Sequence, residues 1–255
     1  MTDAIKQITA LVLAGERPGG DPFAREMGVS HKSLIEVGGK PILTQVLAAL
    51  DEAGFVRIAV CTGNEDVKAL AQTLGAQIVP AESGPSASVL AAFERFGAPM
   101  LVTTSDHALL RSEWMRDFVS EAPTESDVAI LLAKREAVEA ALPGTRRTYL
   151  RFADGAWSGC NLFLLRTAAA GNALGLWSEV EANRKRPWRI AMQLGPGMLR
   201  GYLLGRMKLR DAVARLGRRA GIEARVVAAR DGLAAVDVDK AADLAQVRAV
   251  IERRA

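Results

Sequence analysis

Arg17, Lys32, Asp106, Asp237 and Asp239 are the side chains of this sequence best suited to handling a polyphosphate, although they lie far apart along it. Arg17 offers a planar fork of donors and Lys32 a mobile point charge, and a triphosphate that loses pyrophosphate needs both kinds of contact. An opposite-charge contact at about 4 Å is worth roughly 4 kcal/mol at an effective dielectric near 20, before desolvation is subtracted. The run Leu11-Val-Leu-Ala-Gly-Glu-Arg17 brings Leu13, Ala14 and Gly15 to the same place. Gly15 permits close backbone approach and a positive φ, so that successive N–H groups converge on an anion. Gly38-Gly-Lys-Pro41 then opens a helix. The layout fits a strand that delivers backbone amides and two cations to a nucleoside triphosphate. The plainer reading of the same residues is a strand, a flexible loop and a surface lysine.

The acidic residues extend the pattern. Hard divalent cations such as Mg²⁺ take a few carboxylates together with phosphate oxygens and water. Asp106 follows the apolar run 100–104, and Asp237 and Asp239 end the run 234–238, so the three form such a set if those strands are neighbours. Either end also reads as a helix cap, with Asp106 capping a helix that starts near Leu109 and Asp239 capping the last helix.

The elements that must position these groups alternate. Strands are expected at 8–14, 57–61, 76–79 and 100–104, and helices at 41–53, 65–74 and 86–96, closed by Gly54, Gly75 and Gly97. Such alternation with short connections predicts an α/β fold with a doubly wound, mostly parallel sheet. Ligands of such sheets sit at the carboxyl ends of the strands, where Gly15, residues 62–64, residues 80–84 and Asp106 all fall. Further on, strands are expected at 128–133, 148–153, 161–165 and 234–238, a helical stretch at 167–221 and a last helix at 241–253. That divides the chain into a core of 1–166 plus 222–255 and a basic helical insertion at 167–221.

Composition narrows the function classes. With 255 residues, 49% of them hydrophobic and 24% charged, the chain buries a substantial core. The apolar run 8–14 is too short for a membrane span, and two widely spaced cysteines, Cys61 and Cys160, fit neither a disulfide framework nor a zinc site. A reducing cytoplasm is the expected location. An aromatic content of 5% argues against nucleic-acid binding by stacking. No Gly-x-Gly-x-x-Gly follows the first strand, which argues against a dinucleotide dehydrogenase.

In order along the chain, Leu-Ala-Gly-x-Arg at 13–17, Lys-x-Leu at 32–34, Gly-Lys-Pro-Ile-Leu at 39–43, Ser-Asp-His-Ala-Leu-Leu at 105–110 and Asp-Val-Asp-Lys-Ala-Ala-Asp-Leu at 237–244 stand in this sequence. The combination resembles the nucleotidyltransferases grouped with the molybdenum cofactor guanylyltransferases, whose fold is that of the nucleotide-diphospho-sugar transferases. Glu16 stands where a second glycine is usual, and Ala108 where a proline is often found. The resemblance implies that the Gly15 loop with Leu13 and Ala14, together with Arg17 and Lys32, holds the triphosphate. It implies that Glu82, Ser83, Gly84 and Ser88 meet base and ribose, and that Gly159 and Asn161 face the acceptor. Asp106, Asp237 and Asp239 would hold Mg²⁺. The implied reaction moves a nucleotidyl group from an NTP, CTP ahead of GTP, to a small phosphorylated acceptor with release of pyrophosphate. A glycosyltransferase of similar architecture and a noncatalytic nucleotide-binding or membrane-surface protein are the alternatives.

Basic residues crowd the stretch 184–219 and alternate there with Trp188, Tyr202, Leu209, Val213 and Leu216. An amphipathic basic helix of this kind can lie on an anionic membrane surface, or can pack its apolar stripe on the domain and solvate its charges.

Overall fold

The computed structural model describes residues 2–16, 19–183 and 196–253. A short helix α1 (Thr2–Lys6) leads into β1 (Thr9–Ala14), an interior strand of the large sheet. After α2 (Pro22–Glu26) and a 3-10 turn (Lys32–Leu34), a two-stranded hairpin of β2 (Glu36–Val37) and β3 (Lys40–Pro41) precedes α3 (Ile42–Ala53). The glycine pair expected to open that helix forms the hairpin instead. Gly38 and Gly39 have φ of 60° and 74°, and a two-residue turn with positive φ at both positions matches the twist of its strands and favours glycine. Gly54, at φ 104°, caps α3 in the left-handed conformation.

Then come β4 (Arg57–Thr62), α4 (Glu65–Thr73), β5 (Gln77–Pro80), α5 (Pro85–Phe96) and β6 (Met100–Thr104), the expected alternation. The second half runs through α6 (Ser112–Glu121), β7 (Val128–Lys134), α7 (Arg135–Ala141), β8 (Leu150–Phe152) and β9 (Gly155–Leu165). It continues with α8 (Gly171–Asn183), α9 (Pro196–Leu203), α10 (Leu209–Arg219), β10 (Ala224–Ala228) and α11 (Ala241–Glu252).

The large sheet has the order β10-β7-β9-β6-β1-β4-β5, with β8 paired to β9. β9 runs antiparallel to β6, β7 and β8, and the remaining pairs of this sheet are parallel. Alternate residues of β1 feed the two faces. Ala10, Val12 and Ala14 belong to one buried cluster with α3, α6, α7 and α11 side chains such as Leu43, Met115, Val138 and Val247. Leu11 belongs to the cluster on the other face, which also holds Val89 and Phe93 of α5, Leu174 of α8 and Val213 of α10. The sheet is thus covered on both sides, as the sequence pattern predicts for a mostly parallel α/β fold.

Two expectations change. The late strand is 224–228, not 234–238: residues 232–235 form a 3-10 turn because the Asp231 carboxylate accepts the Leu233 N–H at 2.9 Å. The helix after Asp106 begins at Ser112, so Asp106 is not its cap, and Asp239 makes no capping bond to α11. The described part of 167–221 is helical and packs against the core. Trp177 of α8 packs at a tilt on Phe163 of β9 with ring centroids 4.6 Å apart, and Gly217 of α10 leaves no room for a Cβ against Ala224 of β10. Among the described residues, no helix is long and apolar enough to cross a membrane.

Candidate active site

The parallel register sets the place of the site. Ala14 pairs with Thr62 and Thr62 with Pro80, while Leu13 pairs with Thr104. The carboxyl ends of four neighbouring strands are therefore level, and the Ser105 N–H donates to the Leu13 carbonyl at 3.0 Å to hold the start of the Asp106 loop there. Gly15 does not adopt a positive φ. A Cβ built on it meets nothing within 4 Å, so the backbone beyond β1 is open to an approaching group. Arg17 lies outside the described residues.

Lys32 is carried by a 3-10 turn capped by His31, whose Nδ1 accepts the Ser33 N–H at 3.1 Å. An accepting Nδ1 leaves the ring proton on Nε2. His31 is buried, and burial lowers its basicity against an opposing backbone hydrogen bond to Gly15. The histidine thus links the turn bearing Lys32 to the loop after β1.

The Lys32 ammonium lies 2.5 Å from Asp106 Oδ2 and 2.8 Å from Asp239 Oδ1. Burial alone would lower the lysine, but the two carboxylates outweigh it and hold the ammonium charged well above its ordinary range. Asp106 is 7% exposed. Its burial would favour the acid form, yet Lys32 holds it below the usual carboxylate range. The Val238 N–H donates to the Asp106 carbonyl at 3.0 Å, which pins the Asp237-Val-Asp239 segment beside β6. Two carboxylates distant in sequence therefore meet at one nitrogen.

Asp237 is turned elsewhere. Arg147 Nη1 pairs with its Oδ1, Arg147 Nη2 donates to its carbonyl at 2.8 Å, and Asn161 Nδ2 donates to its Oδ2 at 3.0 Å. Burial and the Asp106 charge push Asp237 upward against the pull of Arg147. Among the described residues, no group of three or more His, Cys, Asp and Glu side chains stands ready to cage an ion. The expected three-aspartate set is thus divided: Asp106 and Asp239 share Lys32, and Asp237 is held by Arg147 and Asn161. Asn161 was expected to face the acceptor. Its φ of 50° coincides with a register irregularity of β9 against β7, a backbone state that Asn tolerates better than most residues. Gly159, opposite Leu132 of β7, is exposed.

On the other side of β1, Glu82 and Ser83 are exposed. Gly84 is the extended residue that starts α5 without a side-chain cap. Ser88 is buried and its hydroxyl accepts the Glu82 N–H at 2.9 Å, so it shapes the loop from within. Glu16 accepts from Asn64 Nδ2 at 2.7 Å, and Asn64 Oδ1 caps α4. His107 is buried against Trp114, and burial, with Arg147 adding to it and Asp106 opposing, lowers its imidazole to about 4. It is a neutral packing residue. Arg147 is the site residue that sequence reasoning missed. It sits in an irregular loop before β8, where no periodicity marks an inward-pointing side chain.

The MobA-like NTP transferase domain matches residues 10–231. The chain belongs to that family. A structure from Thermus thermophilus described as a hypothetical transferase is 33% identical, with a TM-score of 0.79, covering 93% of this chain and 99% of its own. A CMP:2-keto-3-deoxy-manno-octonic acid synthetase complexed with CTP is 20% identical, with a TM-score of 0.60 and coverage of 97% and 99%. CTP:phosphocholine cytidylyltransferase from Streptococcus pneumoniae is 13% identical, with a TM-score of 0.57 and coverage of 96% and 99%. The last two likenesses show the fold alone. No curated protein sequence matches the chain. The MobA-like transferase is an NTP-dependent nucleotidyltransferase whose matched domain carries Lys32 and Asp106.

Proposed function

We propose that this transferase moves a nucleoside monophosphate from an NTP to a small phosphorylated acceptor, a sugar, polyol or amino-alcohol phosphate, with release of pyrophosphate and dependence on Mg²⁺. The observation that carries the reading is the Lys32 ammonium joined to both Asp106 and Asp239 at the level carboxyl ends of the strands. We put CTP ahead of GTP, a preference supported by one protein of the same fold that is complexed with CTP and another whose name carries CTP.

The residues fit a divalent cation. Asp106 Oδ1 is buried without a hydrogen-bond partner, Asp239 is largely exposed, and three carboxylates face only Lys32 and Arg147 as described cations in direct contact. Mg²⁺ is commonly held by one or two carboxylates plus phosphate oxygens and water, so Asp106 and Asp239 suffice. A bound Mg²⁺ would supply charge neutralisation and orientation at the phosphates. Lys32 neutralises the triphosphate, the open backbone at Gly15 admits it, and Arg17 adds a bidentate contact. Glu82, Ser83 and Gly84 meet base and ribose, with Ser88 holding their loop. Gly159 leaves space for the acceptor, and Asn161 with Arg147 fixes the segment that bears Asp239.

An acceptor phosphate oxygen bonds to the α-phosphorus as the bond to the β-phosphate bridging oxygen breaks, and the electron pair leaves on pyrophosphate. The attacking oxygen is already ionised, so no strong general base is needed and catalysis rests on position and charge. Pyrophosphate release, measured for the four triphosphates with Mg²⁺ against a panel of phosphomonoesters, tests the assignment. Lys32→Ala and Asp106→Ala should each lower turnover by at least about 10²-fold, the loss expected for one preorganised electrostatic contact. Near-native turnover in a folded Lys32→Ala protein would contradict it.

A further inference from the structure

Lys32 does more in this arrangement than wait for a phosphate. Its nitrogen touches one oxygen of Asp106 and one of Asp239, the two carboxylates best placed for a divalent cation. Mg²⁺ binds oxygen at roughly 2.0–2.1 Å and is itself a compact cation. An ion that took both oxygens would stand where the ammonium stands and would repel it at contact distance. The lysine cannot leave without a successor either. Asp106 is buried, and a buried carboxylate stripped of its partner is strongly unfavourable. One cation must therefore replace the other.

We propose that Lys32 is the resident countercation of the metal site, and that a divalent cation binds well only when a triphosphate draws Lys32 off Asp106 and Asp239. The inference rests on the reading that these carboxylates hold the metal. The move needs little backbone change, because the lysine has a flexible stem on a three-residue turn and 20% side-chain exposure. His31 fixes that turn beside Gly15, so the side chain can turn from the carboxylates toward the phosphate-binding loop. Asp106 Oδ1, which has no partner while Lys32 holds Oδ2, gives the incoming ion a second oxygen. By linkage, a nucleotide that removes Lys32 raises metal affinity, and the metal raises nucleotide affinity by the same factor.

The test uses Mn²⁺, followed by electron paramagnetic resonance of the free ion, on full-length wild type, Lys32→Met and Asp106→Asn without nucleotide. It adds calorimetric titration of CTP, and of GTP in parallel, in the presence of EDTA. Lys32→Met should bind Mn²⁺ at least about tenfold more tightly than wild type, within the usual range of coupling between sites. The same variant should bind metal-free nucleotide more weakly. These opposite shifts separate the proposal from a structural role for Lys32, which would weaken both. Lys32→Gln, which keeps amide donors for Asp106, serves the same comparison if the methionine variant does not fold. Unchanged or weaker Mn²⁺ binding in the lysine variants, with binding still abolished by Asp106→Asn, overturns the gating but leaves the metal site. Mn²⁺ binding insensitive to Asp106→Asn, or absent from every protein, overturns the metal reading and the gating together.

Discussion

At the scale of single residues, the site holds the Asp106 charge where little water reaches it, and the two buried histidines report that environment. The chain has two histidines, both buried and both lowered in basicity by burial. His107 titrates near 4 in the folded protein against an ordinary value of 6.5. Between those values the unfolded chain binds more protons than the native one, so stability falls as pH falls through that window and is fully present above it. A gap of this size corresponds to roughly 3 kcal/mol at most. Urea unfolding of wild type between pH 7 and 4.5 should show this loss, and His107→Leu should reduce the slope, the remainder including the share of His31. An unchanged slope in the variant would place the proton uptake elsewhere. Asp106 and Asp239 could be picked out in sequence because each follows an apolar run, and Lys32 because it opens the Lys-x-Leu at 32–34. The division of labour was not legible: an unperiodic loop gives no sign that Arg147 reaches Asp237, and Asp237 and Asp239 look alike until their partners are known.

At the scale of elements, the early strands and helices were readable because each apolar run ends in a glycine or a loop and each helix has a clear period. The second half was not, for two physical reasons. β10 is a short strand, Ala-Arg-Val-Val-Ala, and Arg225 breaks its apolar pattern while its partner β7 supplies the pairing. The stretch 234–238 looks like a strand, but Asp231 bends residues 232–235 into a 3-10 turn that packs on α7. That contact is unusually close. A Cβ at Gly232 would lie 2.1 Å from the Ala137 carbonyl oxygen and 2.5 Å from the Val138 nitrogen, both backbone atoms of α7. Neither can rotate away. Gly232→Ala should therefore destabilise the fold by about 3 kcal/mol or more, at the upper end of overpacking costs. It should also displace Asp237 and Asp239, since the turn leads directly into them. Denaturant midpoints check the first effect, and a midpoint within error of wild type would show that α7 yields freely.

At the scale of the whole molecule, the basic region poses the question of what its surface meets. Arg184, Lys185, Arg186 and Arg189 lie outside the described residues. In the described part, Arg200, Arg206, Lys208, Arg210, Arg215, Arg218 and Arg219 are exposed, while Asp211 is the one acid of residues 196–221. The apolar stripe of α10 is already spent. Leu209, Ala212, Val213 and Gly217 are buried in the domain, so this helix cannot also sink an apolar face into lipid. What it can offer a membrane is charge. A contact made by charge alone follows the Debye length, which shrinks from about 30 Å at 0.01 M salt to about 8 Å at 0.15 M. Sedimentation with phosphatidylserine vesicles should therefore show binding at low salt that falls steeply across that range, with none to neutral phosphatidylcholine vesicles. Reversing Arg210, Arg215 and Arg218 to glutamate should abolish it while leaving nucleotide-dependent thermal stabilisation in place, because α10 packs on β10 at the sheet edge, away from the strand ends of β1 and β6. Binding that persists at 0.15 M salt would require an apolar anchor that α10 does not present.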